Sequence, residues 1–249
     1  MFPFRDHNPS ASRPYVTWAL MAINIVIFLS YWPVLFEPIR EAMLFHQWGA
    51  IPRRVQYGGD YYSLFTSMFL HGNFLHLAGN MLFLWIFGDN LEDEMGHIPF
   101  LIFYIVAGLG AGWVHVISNP YSSVPMVGAS GAIAAVMGGY LLMFPKAKID
   151  IFLFLLVWYK IFPVPAWLML GLWFAFQMGS ALTVDSDFAG VAYWAHAGGF
   201  LIGLLVTIPV WLRRGGRSYW TRNEGQPPHP ETGHKFSDSR VPIVRRKGK

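Results

Sequence analysis

Five side chains in this sequence have types and spacings that could do chemistry. Ser130 sits in PMVGASGAIAAVMGGY, between Gly128-Ala129 and Gly131. His196 lies in AHAGGFLIG, and His71, His76 and Asn80 lie in HGNFLHLAGN. A serine hydroxyl is a weak nucleophile until a neighbouring base takes its proton, and histidine is the usual base. His76 and Asn80 are four residues apart, so on a helix they share a face, separated by about 6 Å along the axis. Two donors so placed could stabilise the negative charge that grows on a carbonyl oxygen under attack. Each residue also has a plainer reading. Gly, Ala and Ser line many close contacts between membrane helices, and His or Asn within a span can simply bond a neighbouring helix. GASGA is not the GxSxG elbow of an α/β-hydrolase, because position 132 is Ala. Asp185 and Asp187 fall in a loop, so the economical arrangement is a Ser-His dyad.

The elements that must position these residues are set by hydrophobicity. Of 249 residues, 54% are hydrophobic and 13% charged, against about 25% charged in soluble domains. The chain therefore reads as a membrane protein. It has no cysteine, which excludes disulfides, thiol catalysis and Cys-zinc sites. No His-rich ligand pattern points to a metal, and no cofactor is expected. The net charge of +4 comes mostly from the C-terminal tail and does not point to nucleic acid. Six apolar spans are expected, at residues 16–32, 62–87, 98–117, 127–144, 164–182 and 191–212. Residues 33–60 are broken by prolines and glycines and read as a structured element lying in the interface. GDNLEDEMG reads as an acidic turn, and residues 149–162 as an interfacial or re-entrant segment. The polar start before the first span argues against a cleavable signal. The domain plan is a tail at 1–14, a membrane domain at 15–212, and a basic disordered tail at 213–249 with affinity for anionic lipid.

Basic residues fix the orientation. Arg5, Arg13, Lys146, Lys148 and ten basic residues of the tail share one side, against Arg40, Arg53 and Arg54 on the other. Both termini are thus expected in the cytoplasm. That topology brings Ser130, His196, His76 and Asn80 to the outer half of the membrane from three different spans. Gly199 and Gly203 form a GxxxG face that lets the last span approach the Gly-rich fourth one.

In this order and on these spans, HGNFLHLAGN, Gly128-Ala129-Ser130-Gly131 and Ala195-His196 with Gly199 and Gly203 resemble the rhomboid family of intramembrane serine proteases. Glu92 and Gly96 resemble the acidic-Gly feature that precedes the family's third span. The resemblance covers roughly residues 15 to 212. It implies a fold, an all-α polytopic bundle of six transmembrane helices, and an activity, cleavage of transmembrane or juxtamembrane segments of membrane-protein substrates. It also implies Ser130 as nucleophile, His196 as base, and an oxyanion hole from His76, Asn80 and the Ser130 N–H, with His71, Gly128 and Gly131 in support. Two positions depart from the family pattern. Many members carry a Trp-Arg pair in the first external loop, and Tyr62-Ser63 is none. Some have an aromatic one turn after the serine, packing on the histidine, where this chain has Ala134, so other packing must orient His196. The competing readings are a catalytically silent rhomboid-like protein that binds membrane clients, and a transporter. The second is disfavoured by spans without Asp, Glu, Lys or Arg.

Overall fold

The computed structural model describes residues 2–155, 158–184, 187, 190–226 and 228. The chain is mostly helical, as expected of apolar runs that must satisfy their own backbone. Helix α1 is Tyr15–Tyr31, continued by a 3-10 turn at Trp32–Phe36. The short helices α2 (Pro38–Trp48), α3 (Pro52–Gly58) and α4 (Tyr62–Thr66) follow. Then come α5 (Phe74–Met95), α6 (His97–Ser118), α7 (Ser130–Met143), α8 (Ala166–Thr183), α9 (Tyr193–Arg213) and α10 (Arg217–Asn223). Among the described residues, four segments can cross a membrane by length and composition: α1 with its 3-10 extension, α6, α8 and α9. Helix α7 is apolar but has only 14 residues.

The chain is mostly helical as expected, but it is not all-α. Within the segment read as interfacial or re-entrant, β2 (Lys148–Leu155) and β3 (Trp158–Pro165) pair as antiparallel strands. The N-terminal segment adds β1 (Phe2–Asp6), giving an antiparallel sheet in the order β1-β2-β3. The run of Ile, Phe, Leu and Val suits a pleated strand. Pro163 and Pro165 lie on an edge strand, where proline is tolerated. Arg5 Nε donates to Asp150 Oδ2 at 2.8 Å and His7 Nε2 lies 2.7 Å from Asp150 Oδ1, pinning β1 to β2.

Two boundaries also move. The helix expected as the second span begins at Phe74, because Tyr62–Thr66 and Ser67–Phe69 form separate short helical pieces before it. The acidic segment after it is not a turn: residues 88–95 continue α5, and the chain reverses at Gly96, with φ +84°. Its carboxylates have fixed partners, which is why helix persists there. Asp93 accepts hydrogen bonds from the backbone N–H groups of Ala11 and Ser12. Glu94 pairs with Arg214 at 2.8 Å and accepts from the Tyr219 hydroxyl. Glu92, completely buried, accepts from Val16 N, Thr17 N and Thr17 Oγ1 at 2.9, 2.8 and 2.7 Å, and His97 Nδ1 lies 2.6 Å from it. Pro14 cannot cap α1 with its own side chain, so a carboxylate from another helix supplies the acceptor and complements the helix dipole. Of the expected disordered tail, residues 217–223 form α10, with Trp220 Nε1 donating to the Leu142 carbonyl; residues 229–249 lie outside the described residues.

The centre of the bundle is α7 against α9. A Cβ added to Gly203 would stand 1.9 Å from the Ala135 carbonyl oxygen. At Gly199 it would meet the Gly131 carbonyl at 2.2 Å, and at Gly138 the Phe200 carbonyl at 2.1 Å. The two backbones touch along three successive turns, an approach only hydrogen side chains allow.

Candidate active site

The site is assembled at the α7 N-terminus. Gly128 precedes that helix with φ +128°, a conformation that favours glycine, and its N–H donates to the Ser67 carbonyl at 2.9 Å. Met126 and Ala50 form an isolated bridge that ties this loop to the one before α3. Ser130 is the first residue of α7, where backbone N–H groups have no acceptor within the helix. The site is therefore electropositive before any side chain is counted.

His196 lies in the first turn of α9, and the glycine contacts just described hold it against α7. Its Nε2 is 2.7 Å from Ser130 Oγ. Its Nδ1 is 2.8 Å from Oε1 of Gln177, a residue of α8. Trp173, one turn earlier on α8, packs a tilted ring 6.1 Å from the imidazole. The aromatic support missing at Ala134 thus comes from a different helix. Neither Gln177 nor Trp173 stood out in the sequence; a glutamine within an apolar span was the signal available.

Asn73 caps α5, its side chain accepting from the His76 N–H at 2.8 Å. This fixes the helix start and with it the direction of His76 and Asn80. The volume a Gly128 side chain would fill is bounded by His76 Nε2 at 2.7 Å and Ser130 Oγ at 3.5 Å. Asn80 is buried, and its Nδ2 has no hydrogen-bond partner among the described residues. An interhelical role for that amide would have satisfied the donor. Asn80 Nδ2 is thus a buried, free donor in the cavity that Ser130 also lines. His71 is completely buried, with both ring nitrogens unpartnered among the described residues, and packs edge-on to His76 at 5.1 Å. Its backbone exchanges hydrogen bonds with the Tyr31 hydroxyl.

Ser130, His196, His76, Asn80 and Gln177 all line one cavity of about 520 Å³. Phe83, Ile133, Met137 and Trp173 supply apolar wall. Gly131, Gly199 and Gly203 lie in the α7–α9 contact and not in the cavity. The first loop, which lacks the Trp-Arg pair, is anchored otherwise. Arg54 binds the Asp60 carboxylate at 2.6 Å and the His46 carbonyl, and Thr66 Oγ1 donates to the Trp48 carbonyl at 2.6 Å.

A family model described as the Rhomboid domain matches residues 58–213. This chain belongs to the rhomboid family. Among curated rhomboid relatives, RHOMBOID-like protein 5 of Arabidopsis thaliana is 31% identical, over 56% of this chain and 55% of its own length. Rhomboid protein 1, mitochondrial, of Saccharomyces cerevisiae is 32% identical over 76% of this chain and 51% of its own. Rhomboid protease AarA of Providencia stuartii is 31% identical over 78% of this chain and 71% of its own. The chain spans about half the length of the first two. As a rhomboid with several long apolar helices, it is a multi-pass membrane protein.

Proposed function

We propose that this rhomboid is an intramembrane serine endopeptidase that cleaves transmembrane or juxtamembrane segments of other membrane proteins. The observation that carries the proposal is the 2.7 Å Ser130–His196 contact on the wall of the 520 Å³ cavity. Ser130 Oγ attacks the scissile carbonyl carbon as its proton passes to His196 Nε2. The oxyanion forms beside the Ser130 N–H, His76 and Asn80. The tetrahedral species collapses, the C–N bond breaks, and His196 returns the proton to the departing amine. Water then attacks the acyl-enzyme, giving its proton to His196, and the acid product leaves with Ser130 restored. A relative named as a protease, AarA, supports this reading.

Six spans, α1, α5, α6, α7, α8 and α9, suit the chain, with both termini in the cytoplasm of a cell-membrane protein. Helix α7 is about 21 Å long, shorter than the roughly 30 Å hydrocarbon core. Ser130 at its outer end therefore lies below the membrane surface. A substrate helix must unwind to present its carbonyl there, so segments with helix-weakening residues near the outer face fit best. Reporter fusions after residues 145, 187 and 249 are expected to read inside, outside, inside.

The direct test is labelling by a fluorophosphonate in detergent, followed by cleavage of a model transmembrane substrate. Wild type labels at Ser130 and cleaves. Ser130→Ala and His196→Ala each abolish cleavage without loss of folded protein, and the double variant loses nothing further, because the pair acts as a unit. Ser130→Ala with normal turnover would rule out the mechanism. A folded protein that binds membrane clients yet neither labels nor cleaves would be the silent binder instead.

A further inference from the structure

We propose that Gln177 is a positioning residue for His196, the third member of a Ser130–His196–Gln177 relay whose first two members are those of the proposed function above. The imidazole has only two nitrogens, and each has one partner: Ser130 Oγ on Nε2 and Gln177 Oε1 on Nδ1. A carbonyl oxygen can only accept, so the 2.8 Å contact places the proton on Nδ1. The Nε2 lone pair is then directed at the serine hydroxyl, the tautomer a general base requires. The opposite tautomer would leave two acceptors, Nδ1 and Gln177 Oε1, facing each other.

The same contact acts later in the cycle. When Nε2 takes the serine proton, the imidazolium holds positive charge on the wall of a cavity with a largely apolar lining. The Nδ1–H···O bond then becomes charge-assisted and stronger, so it favours the transition state over the resting state. The amide remains neutral throughout and takes no proton. The support is rigid. Gln177 is buried, and Trp173 on the same face of α8 contacts both His196 and Phe200, which lie one turn apart on α9. Helix α8 thereby holds the ring through both Trp173 and Gln177. The titratable groups facing His196 from other helices are His76 on α5 and His115 on α6, with Ser130 on α7. Among the described residues no carboxylate contacts the imidazole, so the acceptor role falls to the amide.

The test uses Gln177→Met, which keeps volume and removes the acceptor, and Gln177→Glu, which keeps the acceptor and adds charge. Fluorophosphonate labelling of Ser130 is followed against pH, with kcat and KM on a transmembrane substrate and melting temperature on the same preparations. Gln177→Met is expected to lower the labelling rate and kcat by about tenfold to a hundredfold. KM should hold, and the acid limb of the pH profile should move to lower pH. Gln177→Glu is expected to recover most of the rate and move that limb to higher pH. If Gln177→Met labels at the wild-type rate with an unmoved profile, or its loss only tracks unfolded protein, Gln177 does no more than pack. A Gln177→Glu variant as slow as Gln177→Met would also overturn the relay. Wild type that does not label at Ser130 at all would sink the proteolytic reading, and the relay with it; the variant comparisons sink the relay alone.

Discussion

Replacing Gly199 with alanine tests whether the α7–α9 contact sets the catalytic distance. The new Cβ would stand 2.2 Å from the Gly131 carbonyl oxygen and 3.2 Å from Ala111 Cβ. Comfortable carbon–oxygen contact begins near 3.3 Å, so the helices must separate locally by about 1 Å. The obstacle is backbone, one residue from Ser130, and cannot rotate away. His196 precedes Gly199 by three residues on α9 and moves with it. A 2.7 Å contact opened by that amount leaves hydrogen-bonding range. Misplacement of this size costs about a hundredfold in rate, and the overpacking about 1–3 kcal/mol of stability. The assay is the fluorophosphonate labelling rate per folded molecule, with Gly171→Ala as control. Gly171 lies on α8 with nothing within 4 Å of its added Cβ, so that change should leave labelling intact. Gly199→Ala labelling as fast as Gly171→Ala would refute the argument. So would a loss of rate fully accounted for by unfolded protein.

Other expectations concern single groups. Asn80→Ala should lower kcat by about tenfold to a thousandfold with KM little changed, as for loss of an oxyanion donor; a lowered melting temperature with unchanged kcat per folded molecule would make Asn80 structural, and His76→Ala is judged the same way. Glu92→Ala leaves three donors at the α1 N-terminus and His97 without their acceptor, and should destabilise the fold by about 1–3 kcal/mol, read as a lower melting temperature in detergent. Burial, with the Asp89 carboxyl nearby, pushes the Asp6 carboxyl up to about 8. The folded protein keeps that proton between about pH 4 and pH 8 while the unfolded chain releases it, so stability should fall as pH rises through this window. Asp6→Asn should flatten the dependence; an equal slope in wild type and variant would exclude Asp6 as its source.

The sequence by itself determined the membrane class and the family, and it singled out Ser130 and His196 as the proposed reacting pair. These depend on residue type and on order along the chain: long uncharged runs need no tertiary information, and Ser130, His196, His76 and Asn80 are the polar exceptions within or at the ends of such runs. It also implied that α7 and α9 approach closely, because glycines at three- and four-residue spacing have one obvious use in a membrane. What it could not hold were facts that need two distant segments at once. A strand declares itself only when a partner exists, and the partner of residues 148–155 includes residues 2–6, well over a hundred positions away. The acidic run after the second span looks like a loop until Ser12, Thr17, Arg214 and Tyr219 are seen to meet its carboxylates. Ala134 reads as a missing support for His196, and only packing shows Trp173 and Gln177 arriving from α8. Local composition fixes which segments leave water; the donors and acceptors that they carry with them find partners only when the helices are laid side by side.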